Sequence, residues 1–91
     1  MNSYTKQDVD VIDIDVDYSQ YFPAGDIIAS AVATADVGVT LESTVINTSA
    51  SIVKQWIAGG TDGSTYEVHV VATTAAGRVK KWDFKVKVKN V

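Results

Sequence analysis

Between Tyr66 and Thr74, and again between Trp82 and Val88, apolar and polar residues exchange at almost every position. That period of two belongs to a half-buried β-strand, because successive side chains point to opposite faces of a sheet. It recurs along most of the chain, and valine, isoleucine and threonine carry it. No stretch repeats apolar residues at helical spacing with caps, so helix is excluded beyond a short turn. The alternation predicts strands over Val9 to Tyr18, Ile27 to Ala35, Val39 to Ser43, Ile52 to Ile57, Tyr66 to Thr74 and Arg78 to Lys89. Turns are expected at Pro23 to Asp26, Asp36 to Gly38, Gly59 to Gly63 and Ala75 to Gly77. About six or seven short strands at this spacing predict an all-β antiparallel sandwich of immunoglobulin-like type.

The inward set of each strand follows from its phase. Ile12, Ile14, Val16 and Tyr18 form one set; Val9 and Val11 are out of step with it, which asks for a bulge or a change of sheet. Tyr66, Val68, Val70, Ala72 and Thr74 form another, and Trp82, Phe84, Val86 and Val88 a third. Val79 breaks the last phase and predicts a bulge near Lys80 and Lys81. Trp56 is the largest apolar group of its strand and, like Trp82, is expected in the core or partly in it, near Phe84. Residues 1–8, MNSYTKQD, read as a flexible lead-in, and residues 9–91 as a single domain. With 91 residues and no cysteine, hydrophobic packing has to hold the fold without disulfides.

The stretch GGTDGSTYEVHV is the best candidate for a binding loop, and its surroundings argue against one. A phosphate-cradling loop needs a lysine and a following helix; Gly59 to Ser64 has no lysine and runs into a strand. Gly63 and Gly77 therefore read as turn residues. Tyr66, directly after the turn, fits a tyrosine corner, whose hydroxyl returns to backbone a few residues upstream. Catalytic and metal sites have equally little support. His69 is the only histidine, so there is no histidine cluster for zinc and no second base for a triad. Asp13, Asp15 and Asp17 lie on one strand face about 6.5–7 Å apart, too spread and too flat for calcium, which needs six to eight converging oxygens. Neither a cofactor nor a metal is expected.

The segment Val11 to Val88 resembles the immunoglobulin-like domain of bacteriophage virion proteins, in particular the small phage fibre–tail adaptor family. The matching pieces are IDVDYSQYFPAGDII, WIAGGTDGSTYEV and TTAAGRVKKWDFKVKV. The chain departs from the family pattern at Ala31 to Ala33, where that pattern carries a tryptophan. The resemblance implies a structural virion component of the tail or its fibres. It would have no catalysis and would bind other phage virion proteins or copies of itself, in a particle assembled in the host cytoplasm.

Charge is unevenly placed. Seven of the eleven acids lie at or before Asp36, and six of the eight bases lie between Arg78 and Lys89. First and last strands run side by side in many such sandwiches, so Val11 to Tyr18 is expected beside Trp82 to Lys89, with Asp13, Asp15 and Asp17 facing Lys85, Lys87 and Lys89. Lys81, Lys85, Lys87 and Lys89 are the candidate partner-binding residues. A net charge of −3 argues against nucleic acid, and no apolar run is long enough to cross a membrane. The alternative function is a carbohydrate- or cell-surface-binding module, for which an exposed Trp56 or Tyr21 would be the stacking platform.

Overall fold

The alternating strands close on one another as two facing sheets. The computed structural model describes residues 2–91, and in it seven strands follow in chain order: β1 Asn2–Lys6, β2 Ile12–Asp17, β3 Ile28–Ala35, β4 Val39–Asn47, β5 Ile52–Gly59, β6 Thr65–Thr74 and β7 Val79–Val88. One sheet has the order β1-β7-β6-β3 and the other β2-β5-β4. Every pairing is antiparallel except that of β1 with β7, the first strand with the last. This is the immunoglobulin-like sandwich, with a short first strand on the sheet of the last one.

The core follows the alternation. Ile14, Val16 and Tyr18 meet Val68, Val70, Ala72, Phe84 and Val86 across the sandwich, with Val53 and Ile57 beside them. Tyr18 is wholly buried, Phe22 stacks on its ring at 5.8 Å, and its hydroxyl donates to the carbonyl of Val70 at 2.9 Å. Burial, assisted by the charge of Asp83, pushes the Tyr18 hydroxyl up to about 12. The folded state therefore holds this proton more tightly than the unfolded chain, whose tyrosines ionise near pH 10. The stability contributed is complete below about pH 10 and is lost as pH rises towards 12. Denaturation midpoints measured across that window should fall in the parent more steeply than in Tyr18→Phe. Parallel slopes in the two proteins would contradict the assignment.

Five expectations are corrected by the fold. Asn2–Lys6, inside the segment expected to be flexible, is a strand: Tyr4 packs edge-on against Phe84 at 5.5 Å. Lys6 is only 2% exposed, its ammonium donating to the carbonyls of Gly59 and Gln7. Because β1 takes the flank of β7, β2 is not beside β7; it pairs with β5. Val9 and Val11, expected within a strand, lie exposed between β1 and β2, where the chain takes the change of sheet that their phase allowed. No bulge interrupts β7: its register with β6 runs unbroken from Val79 to Lys87, and Val79 is simply exposed. Bulges lie instead at Ile28/Ser30 in β3 and Leu41/Thr44 in β4.

The fifth correction concerns Trp56. Val53, Gln55 and Ile57 are the buried set of β5, which puts Trp56 on the outer face, half-covered, opposite Asp13. Gln55 is tolerated inside because its amide is satisfied. Its nitrogen donates to the Trp56 carbonyl, and its oxygen accepts from the Thr44 hydroxyl.

Candidate functional site: the outer face and free edge of β7

Strand β7 turns Trp82, Phe84, Val86 and Val88 towards the core and Lys81, Asp83, Lys85 and Lys87 outwards, with Lys89 following just past its end. Lys81 lies 3.6 Å from Asp83. Lys85, Lys87 and Lys89 have no carboxylate within 4.0 Å among the described residues. Lys87 stands between Thr5 and Thr65, and Lys85 between Ser3 and Glu67. The result is an exposed basic strip along the middle of a four-stranded sheet.

The acidic ladder is on the opposite side of the molecule. Asp13, Asp15 and Asp17 are exposed on the outer face of the other sheet. Asp13 lies 3.5 Å from Lys54. Asp17 accepts the Ser19 amide at 2.8 Å, and hydrogen bonds from Ser19 hold its carboxyl below the usual carboxylate range. The expected facing of these aspartates with Lys85, Lys87 and Lys89 does not occur. The core lies between the two ladders, so each is offered to whatever approaches from outside.

Next to the basic strip, Glu67 and His69 share one face of β6 by their spacing, and the register of β6 with β7 adds Asp83 opposite His69. His69 Nδ1 lies 2.6 Å from Asp83 Oδ1, and its Nε2 lies 3.7 Å from Glu67 Oε1. The His69 bond holds the Asp83 carboxyl below its usual range, helped by Lys81. The three offer ligand atoms within 4.8 Å of one another. A metal here would have to replace the short His69–Asp83 bond, next to the cation of Lys81. The arrangement is that of a hydrogen-bonded polar cluster on a sheet face.

The glycine loop spends its polar groups internally. Tyr66 is 7% exposed, and its hydroxyl accepts the Thr61 amide at 2.9 Å. The Gly63 amide donates to the Val88 carbonyl at 2.7 Å and the Ser64 amide to the Thr61 carbonyl at 3.0 Å. With these three amides taken internally, the loop turns the chain into β6. Gly77 has the same turning role between β6 and β7, donating to the Thr74 carbonyl.

The remaining feature is a half-open edge that the sequence did not suggest. Among the described residues β1 covers β7 only from Phe84 to Val88, so the stretch from Val79 to Trp82 has β6 on one side only. Two clefts meet there. One, of 270 Å³, opens between β1 and β2 and is lined by Tyr4, Val16 and Trp82 within and by Asp15, Asp17 and Gln20 at its rim. The second, of 320 Å³, is lined by Asn2, Lys80, Lys81, Trp82 and Asp83. Tyr21 leans on Trp82 at 5.9 Å, and the Lys80 ammonium sits 4.6 Å from the centre of the Tyr21 ring. That cation covers the Tyr21 ring, one of the two candidate stacking platforms; the other, Trp56, is half-covered on the outer face of β5.

A sandwich whose charges form outward strips, and whose loop amides bond internally, has the make-up of a structural module of the immunoglobulin-like class. Residues 6–87 match the family model described as podophage GP4 fiber-tail adaptor protein gp77. The chain belongs to that family and is a structural component of a phage tail. Comparison with curated proteins gave no match.

Proposed function

We propose that this chain is a non-catalytic joint in the virion and that it grips a neighbouring virion protein through Lys85, Lys87 and Lys89. The observation that carries this reading is the basic strip itself: three successive outward lysines with no carboxylate within 4.0 Å among the described residues, two on a strand flanked by two others and the third just past its end. Like charges aligned this way repel one another, so the strip is relieved when an acidic surface covers it. Membership of a fibre-tail adaptor family supplies the kind of partner, another protein of the particle. Neither nucleic acid nor membrane enters this reading.

Replacing all three lysines by glutamine tests it. Exposed, unpaired charges contribute little to folding, so the melting temperature of the variant should stay within about 2 °C of the parent. Its incorporation into particles, measured by quantitative immunoblot of purified virions, should be lost. Normal incorporation would remove the strip from the interface.

A further inference from the structure

We infer that the bare half of β7, Val79 to Trp82, receives an extended segment of another virion protein as an added strand. One apolar side chain of that segment is seated against Trp82 in the cleft between β1 and β2. The inference rests on the adaptor reading and specifies how the partner is held.

Backbone direction is the first support. Val88 donates to Ser64 and accepts from Gly63, so even-numbered positions of β7 bond towards the β6 side. Lys89 donates to Lys6, so odd-numbered positions bond towards the β1 side. In a ladder this alternation continues along the strand. The N–H and C=O groups of Val79 and Lys81 therefore face the edge that β1 leaves uncovered. An open row of this kind is a template for another strand.

The second support is shape. Both clefts border this edge and share Asn2 and Trp82. β1 already shows how such a strand lies: it runs along the same edge of β7 and sends Tyr4 inwards against Phe84. A guest strand continuing that line would turn alternate side chains into the Trp82 cleft, and the others outwards beside Lys81. The chemistry it carries is thus that of an extended segment with apolar residues at alternate positions.

The test uses purified particles assembled without this protein, to which purified protein is added and the bound amount measured. Lys81→Pro deletes one edge-facing amide and spares every amide donated to β6. Lys81→Ala removes the charge and keeps the amide. Gln20→Trp fills the cleft from an exposed loop position and keeps the test decisive if the proline variant fails to fold. We expect Lys81→Pro and Gln20→Trp to bind roughly tenfold or more weakly, with Lys81→Ala within about threefold of the parent. Parent-like binding by Gln20→Trp and by folded Lys81→Pro overturns the inference. Equal losses in Lys81→Pro and Lys81→Ala also overturn it, since they indicate a charge contact and not an added strand. A concentration-dependent dimer of the free protein, abolished by Lys81→Pro in sedimentation, would make the occupant a second copy and overturn the partner assigned. If the lysine-to-glutamine triple variant loses binding while Lys81→Pro and Gln20→Trp keep it, only this inference falls. Particles that refuse the parent protein end the adaptor reading and this inference together.

Discussion

Phe84→Ala is expected to remove about 3–5 kcal/mol of stability, the cost of deleting a large buried ring whose surroundings collapse only in part. Domains carry roughly 0.05–0.15 kcal/mol per residue, so a chain of this length stands on the order of 5–14 kcal/mol above its unfolded state. Phe84 is wholly buried. It lies opposite Val68 on β6 and opposite Asn2 at the start of β1, and it takes the edge of Tyr4 at 88°. The substitution therefore opens a cavity at the place where the first strand joins the sheet, and β1 should loosen with it. Urea unfolding would show a large fall in midpoint at a nearly unchanged slope. A loss below about 1.5 kcal/mol would mean that the sandwich can close over the missing ring.

The second large effect is expected at Gly38. Its φ of +123° suits glycine, and a Cβ built there would lie 2.6 Å from Cε1 of Tyr66. The ring has nowhere to retreat: its hydroxyl is tied to the Thr61 amide, and a Cβ at Gly60 would likewise come within 3.3 Å of Cε2. Gly38→Ala thus combines backbone strain of about 1–3 kcal/mol with overpacking of about 1–3 kcal/mol, giving a loss of roughly 2–6 kcal/mol. Gly25 provides the control. Its φ is +90°, but a Cβ there meets nothing within 4 Å, so Gly25→Ala should show the backbone part alone. Equal losses in the two variants would show that contact with Tyr66 contributes nothing.

Much of the fold is legible in the order of the residues. The alternation yields the correct buried sets of β6 and β7 and the phase of Ile14, Val16 and Tyr18, because a strand with one wet and one dry face must repeat every two residues. The turns at Pro23 to Gly25 and Ala75 to Gly77 are readable for a similar local reason: glycine and proline declare their backbone angles. Where local chemistry and burial disagree, the pattern misleads. Asn2–Lys6 has the look of a polar tail, since its one apolar residue is Tyr4 and a lysine argues for solvent. The carbonyl of Gly59, 53 residues away in sequence, is what lets Lys6 lie inside. Trp56 misleads by its size. Val53 and Ile57 set the phase of β5, and a satisfied Gln55 can occupy the buried position between them.

The sequence by itself determined which side of β2, β6 and β7 is dry, where glycine and proline turn the chain, and that lysines would be lined up on the last strand. The tertiary structure alone decided which strands are neighbours. An alternating pattern specifies a face and is silent about the edge, since every strand offers the same backbone groups to either flank. The short β1 settled that choice. By taking the flank of β7 from Phe84 to Val88, it left β2 and its aspartates to pair with β5 in the other sheet, away from the lysines.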